Sequence, residues 1–546
     1  MNTTRWKTLA IAAIVGAFFG WESAAWGPEA QRTISSTSIQ MLRRTFSDAF
    51  RAGDIKFDAD VVRGARDGVE AMRDVDADIT VEQAMSVVSD QIRLLRATEN
   101  YSRSSYFAYR MGALGSVVAD LMVPYGIATT DRERALRERI RSDLDDNVTQ
   151  FRYSARREGR LPINDARDYF RRHRAFQDNA RQIIANDYAT GLGFSGYLGN
   201  AASSYFQAAV DAVADAWFTV FRPQDPLAGE TPTRAQIAWY LADEIEYLLV
   251  ERGNVRQAER TYRHFARVNP GIHAAYEQVG DAFYAIESYD RAVREWENAL
   301  DATGPERRRV VEKLARHYRD IGRQALGRAE VEPAAIDQAL AEAERAFRNV
   351  LRYDQTDGEA AEMLTQAHTM IREREEQRQT VTRIMAGAES VLEQARSSVE
   401  EGDFGRAFGA FHQARNLLES VDEDFPEQYE AARNQLREIN VAVRRTVNRI
   451  LDRAHDTLAD ADRAREGQQF AEAIELYQQV PSILATIPEE EDAAFIDQKQ
   501  DLISEADESL AQAQSEYERW QQQQEEAEEA APPAEQEQPA PGDFFS

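Results

Sequence analysis

Residues His273 to Pro305 read HAAYEQVGDAFYAIESYDRAVREWENALDATGP, and this stretch decides the fold class. Two helical segments meet near Glu287 and Ser288. The first carries Tyr276, Val279, Gly280 and Phe283 at three- and four-residue spacing, and the second carries Ala292, Trp296 and Ala299 in the same way, so each has one apolar face. Gly280 and Ala292 are small where two antiparallel helices must approach, and Tyr276, Phe283 and Trp296 supply bulk around that contact. Such a hairpin cannot bury its second face alone, which predicts further helices stacked beside it.

Composition agrees with an all-α protein. The chain has 546 residues, of which 43% are hydrophobic and 29% charged, with few Gly and Pro. That is enough apolar material for about two to four cores surrounded by long solvated helices. Cysteine is absent, which excludes disulfides, Fe-S clusters and thiolate zinc sites. The formal charge of −29 argues against nucleic acid as a partner, because phosphate neutralisation needs clustered positive charge. It favours basic partners, although such acidity also suits a host environment. Lys7, Lys56, Lys313 and Lys499 are the only lysines, so almost all positive charge is Arg.

At the amino end, Arg5 and Lys7 precede an apolar run from Thr8 to Gly20, and Ser23-Ala24-Ala25 offers small residues for cleavage before Trp26. Residues 1–25 are therefore expected to be an export signal, with a periplasmic or envelope address. The run is short against the roughly 20 apolar residues of a membrane span, and a membrane contact is expected only if the segment stays uncleaved.

Counting His273 as position 1, the hairpin has an aromatic residue at 4, Val at 7, Gly at 8, an aromatic at 11, Ala at 20, an aromatic at 24 and Ala at 27. This resembles the tetratricopeptide repeat (TPR), with the family's late Pro displaced to Pro305 after Gly304. Upstream, Trp239 to Pro270 is a looser copy with Ile245, Leu249, Ala258, Tyr262 and Pro270. It follows a boundary of two prolines and Gly229, and opens on a capping-box pair, Thr233 and Gln236. Downstream, Ala343, Phe347 and Val350, then Phe404, Ala407, Phe411 and Ala414, then Phe470, Ala473, Tyr477 and Val480 repeat the second-helix pattern. The spacing nearly doubles the usual period of about 34 residues. An insertion is expected around Gly322 to Ala335, and long helices are expected over 358–383 and 426–449. The resemblance implies a TPR-like solenoid over 230–524 with a capping last helix, or a change to antiparallel coiled coil. An acidic, Pro-rich, disordered tail is expected over 525–546.

By the same resemblance, first-helix positions facing a bound peptide are Tyr240, Asp243, Tyr247 and Val250, then Ala274, Glu277, Asp281 and Tyr284. The family's Lys, Asn and Arg carboxylate clamp is missing there. Aromatic and acidic groups suit an extended segment with apolar and basic side chains.

Residues 26–229 are expected to form a separate helical domain, with helices near 30–51, 60–74, 80–97, 103–123, 131–157, 164–188 and 200–221. The Arg-rich run 132–181 reads as solvated helix faces. Asp211 and Asp215, inside an apolar helix, argue against a membrane role for it. The segment GALGSVVADLMVPYG, Gly112 to Gly126, places Asp120 one turn before Pro124. It resembles the zinc-binding helix of the S1/P1 nuclease and zinc-dependent phospholipase C superfamily, and Trp26-Gly27 with Gln31 resembles that superfamily's amino-terminal zinc ligands. The imidazoles are replaced by Gln31, Ser116 and Gly126, and His173 is the one histidine of the region. The resemblance thus implies a helical fold that has lost its metals, with Trp26, Gln31, Ser116, Asp120 and Gly126 marking a vestigial site. No metal, cofactor or catalytic residue is expected. The expected function is that of an exported, noncatalytic scaffold binding partner proteins. The alternative is a zinc-dependent phosphodiesterase or phospholipase with a TPR partner module, disfavoured by the missing histidines.

Overall fold

The computed structural model describes residues 25–529 except 53–54, 74, 77, 100, 102, 157–158, 223–226, 333–334 and 490–491. Residues 1–24 of the expected export signal 1–25 and residues 530–546 of the expected tail lie outside the described residues. The fold is all-α. In chain order the helices are α1 (Pro28–Arg43), α2 (Asp58–Asp67), α3 (Val81–Thr98), α4 (Ser105–Asp120), α5 (Asp131–Asn147), α6 (Ala166–Thr190), α7 (Tyr197–Val220), α8 (Arg234–Glu246), α9 (Val255–Val268), α10 (His273–Ala285) and α11 (Tyr289–Asn298). They continue with α12 (Gly304–Val331), α13 (Ile336–Tyr353), α14 (Gly358–Glu401), α15 (Phe404–Glu419), α16 (Pro426–Glu466), α17 (Phe470–Leu484) and α18 (Ala493–Glu529). One two-residue antiparallel pair, Arg51–Ala52 with Ile55–Lys56, joins α1 to α2. The chain divides into two compact units, Met1–Leu314 and Ala315–Ser546. Among the described residues no helix is long and apolar enough to cross a membrane.

Helix α4 is the centre of the first unit, buried along nearly its whole length. It crosses α2 at two glycines. A Cβ on Gly112 would lie 1.9 Å from the Val61 carbonyl oxygen, and one on Gly64 would lie 1.8 Å from that of Tyr109. The backbones touch, so no side chain fits between them. Gly112→Ala is expected to destabilise the unit by about 3 kcal/mol, because the helices must separate and repack. Urea denaturation followed by circular dichroism would measure it, and a loss under about 0.5 kcal/mol, the level of an inert surface change, would contradict the close crossing.

Several expected helices stop early for a common reason. The run 131–157 ends at Asn147, and residues 151–156 and 159–163 form no helix because their polar groups are drawn to two acids on α7. Tyr153 donates to Asp211 (2.8 Å), Arg160 pairs with Asp211 (2.7 Å), and Arg156 pairs with Asp215 (3.0 Å). Arg156 and Arg160 therefore do not lie on a solvated helix face, as the charge pattern predicts; they satisfy buried carboxylates.

Four turns among the described residues share a left-handed residue and three of them share one hydrogen bond; after Gly253 the Asn254 amide reaches one residue further, to Leu248, across a π-helical turn. Gly253, Glu287, Gly402 and Gln468 have positive φ, between 60° and 80°. The following amide donates back into the preceding helix, as with Ser288 to Phe283 (3.0 Å), Asp403 to Ser398 (2.9 Å) and Gln469 to Ala464 (2.8 Å). These 6→1 bonds satisfy carbonyls left open at a helix end. Five residues after each left-handed position stands a fully buried alanine, Ala258, Ala292, Ala407 or Ala473. Nine residues after it stands an aromatic, Tyr262, Trp296, Phe411 or Tyr477. In the hairpin of α10 and α11, a Cβ on Gly280 would meet the Trp296 ring at 2.5 Å, so the indole occupies the space that glycine leaves.

The second unit explains the doubled spacing. Helices α14 and α16 run for 44 and 41 residues, much longer than the expected 358–383 and 426–449. The first part of α14 buries Ala360 and Ala367 in a core with Ala343 and Phe347 of α13. Its second part buries Ala388 and Leu392 in another core with Phe408 and Phe411 of α15. One long helix thus serves two cores, and the short partner recurs only once per long helix. Of the insertion expected around Gly322 to Ala335, residues 322–331 are continuous helix within α12, and α18 takes in the first five residues of the expected tail, ending at Glu529.

Candidate functional site

The residues singled out at the amino end and on α4 converge on one buried site. Asp120 closes α4 and accepts the Ala25 amide at 3.0 Å. The Trp26 indole donates to the Ala119 carbonyl at 3.0 Å, and Gln31 on α1 donates through Nε2 to Ser116 Oγ at 3.1 Å. Asp120, Ser116 and Gly126 line a small cavity with Arg137 from α5.

A zinc ion does not fit these donors. Ser116 and Gln31 are neutral and bonded to each other, and the buried Arg137 guanidinium stands where a second cation would be repelled. Gly126 leaves no room for an imidazole, since even a Cβ there would lie 1.9 Å from the Asp120 carbonyl oxygen. Among the described residues no group of His, Asp and Glu is placed to hold a metal ion. Burial pushes the Asp120 carboxyl up to about 7, opposed by the Ala25 amide, by Arg137, by the Trp26 amide and by Arg141. The carboxyl thus titrates near neutrality inside a polar cluster. Arg137 was hidden in sequence by the alternating charges of α5. Its burial is set by the cavity it closes.

The residues expected to face a peptide divide into three groups. Tyr240 is buried against Tyr106 (ring centroids 5.1 Å) and the Arg110 guanidinium (5.7 Å). Glu277 is held by Lys313 (2.7 Å) and Arg309 (3.2 Å), and Asp281 by Lys313 (2.6 Å) and the Trp296 indole (3.0 Å). Burial works against the Glu277 charge, but the two cations outweigh it and hold its carboxyl below the usual range. Tyr284 packs on Tyr289 and Trp296, at 5.0 and 5.1 Å. These side chains are occupied by the chain's own groups.

Asp243, Tyr247 and Val250 do come together, on the wall of an open cleft of about 490 Å³. Asp243 accepts from Arg73 at 2.5 Å, and Arg73 also lies 4.1 Å above the Trp239 ring. Tyr247 donates to Asp60 (2.8 Å) and stacks on Tyr109 (5.0 Å). The facing wall brings Glu70, Met72 and Tyr109, which no repeat pattern could indicate because they lie in the amino-terminal helices. Val250 stands at the rim, 49% exposed. Burial, then the neighbouring Asp67, raises the Glu70 carboxyl, and among the described residues Glu70 meets no cation.

The chain matches no known family and no curated protein.

Proposed function

We propose that this protein is an exported, noncatalytic scaffold of the cell envelope that holds partner proteins through TPR-like hairpins. The four turns, each followed by a buried Ala and an aromatic at fixed offsets, support a repeat reading. The acidic cleft supports a binding role. The observation that carries it is Glu70, a carboxylate that among the described residues has no cationic partner, beside the exposed Val250 and the Tyr109 ring. Such a place accepts an Arg or Lys whose stem lies on apolar surface. Glu246 adds negative charge at the same rim, whereas Glu251 is paired with Arg63 at 2.7 Å. Of the residues expected to line a groove, Asp243, Tyr247 and Val250 belong to this site. Glu277 and Asp281 serve to dock α12 through Arg309 and Lys313.

Glu70→Lys with Val250→Arg is expected to reduce recovery of a crosslinked envelope partner by about tenfold or more, the equivalent of 1.4 kcal/mol, with helical content unchanged. Undiminished recovery would contradict the cleft as the site.

The convergence of Trp26, Gln31, Ser116, Asp120 and Gly126 supports a second, compatible proposal: the amino-terminal helices descend from the zinc nuclease and phospholipase fold, with the metal site refilled by Arg137. Stoichiometric zinc in the purified protein, lost together with phosphodiesterase activity on Asp120→Ala, would overturn both the refilled site and the noncatalytic reading.

A further inference from the structure

One cleft of the first unit, about 820 Å³, is lined by positive side chains in a chain that is acidic as a whole. It is lined by Arg103, Arg252, Arg260, Arg263, His264 and Arg267, over a floor that includes Phe57 and Tyr101. Its size is that of a ligand site rather than a packing defect, which is rarely much larger than a water molecule. Among the described residues no carboxylate lines it, in a chain of formal charge −29.

Helix α9 builds the site. Arg260, Arg263 and Arg267 follow one another at three- and four-residue spacing, so their side chains share one ridge about 10 Å long. Arg260 and Arg263 are exposed, and among the described residues neither guanidinium meets a carboxylate. Arg267 donates to the Arg263 carbonyl at 3.1 Å and lies 3.1 Å from the His264 ring nitrogen. Arg103 and Arg252 are turned partly away, toward Glu99 and Asp48 and toward Asp60 at 3.3 Å. Guanidiniums gathered without counter-charge repel one another, and an anion in the cleft relieves that repulsion.

We propose that this cleft binds an acidic peptide segment of a partner protein, its carboxylates pairing with Arg260 and Arg263 and an apolar neighbour resting on Tyr101 and Phe57. The ridge is too long for one phosphate and matches about three residues of extended chain at roughly 3.3 Å each. Arginine forks fit carboxylates in bidentate pairs. A long polyanion such as nucleic acid would reach beyond the cleft and meet the repulsion of a chain of formal charge −29. The site is distinct from the acidic cleft at Glu70 and stands without the reading of that cleft.

The test is fluorescence anisotropy of the purified chain with a labelled peptide of alternating glutamate and tyrosine. Saturable binding that weakens with salt is expected. It should fall by about tenfold or more in Arg260→Glu/Arg263→Glu, fall less in Arg260→Gln/Arg263→Gln, and persist in Arg406→Glu, a reversal on an exposed face of α15. Circular dichroism should show unchanged helix in all three variants. No saturable binding by the wild type, an equal loss in Arg406→Glu, or preferential binding of inorganic phosphate or of a single-stranded oligonucleotide would overturn the proposal.

Discussion

Replacement of Asp215 by alanine is expected to cost the first unit about 4 kcal/mol, the range found when one partner of a buried ion pair is removed. Asp215 lies on α7 and is fully buried. Its carboxylate accepts from the Leu161 amide at 3.0 Å, the Tyr169 hydroxyl at 2.8 Å and Arg156 at 3.0 Å, with Arg160 at 3.5 Å. Alanine would leave the amide and hydroxyl unsatisfied and strip both guanidiniums of one counter-charge, while Asp211 alone remained for Arg160 at 2.7 Å and Arg156 at 3.6 Å. The non-helical stretches 151–156 and 159–163 would lose their anchor and should become the first part of the unit to open. Urea denaturation gives the stability difference, and amide hydrogen exchange over 151–163 locates the opening. A loss below about 1 kcal/mol, typical of exposed ion pairs, would mean that the cluster is hydrated and contributes little.

The second large effect depends on pH. Burial places the Asp120 carboxyl at about 7 in the folded protein, against an ordinary value of 3.8. Between these values the folded state binds a proton that the unfolded chain has released, so stability must fall as pH rises from about 4 to about 7 and then level off. The loss is on the order of 4 kcal/mol at 1.36 kcal/mol for each pH unit of displacement. Asp120→Asn should remove this slope. In the full-length chain, which keeps Ala25, the amide oxygen can still accept the Ala25 amide, and no proton is released. The variant is therefore expected to match the wild type near pH 4 and to exceed it above pH 7. Parallel curves for the two proteins across this range would show that Asp120 is stabilised as a full carboxylate, with Arg137 acting as its counter-ion.

Both effects arise where sequence patterns stop being informative. Ala292, Trp296, Phe411 and Tyr477 could be read directly, because helical spacing and the repeat offsets are local properties of the chain. The lengths of α14 and α16 could not. Their charge-rich middles look like helix ends, and only the two cores flanking Arg374 show why the helix continues. The guanidinium of Arg374 lies 3.8 Å above the Phe425 ring while the residue itself is buried. The cluster at Asp215 joins residues 46 to 59 positions apart through a segment with no helical pattern. Trp26, Gln31, Ser116 and Asp120 could be singled out in the sequence, but Arg137 could not, since a buried arginine and a solvated one have the same place in a charge run. The acidic positions of the hairpins were legible as acids. That Arg73, 170 residues away, would already hold Asp243 was not.

The account rests on the acidic cleft as the place where a partner is held, and crosslinking in living cells from Val250 tests this most directly. A photo-reactive amino acid at Val250 is predicted to give a discrete adduct with an envelope protein that disappears when Glu70→Lys is added, while the same group at Val331, 77% exposed on α12, gives none. Absence of an adduct from Val250, or the same adducts from both positions, would contradict it.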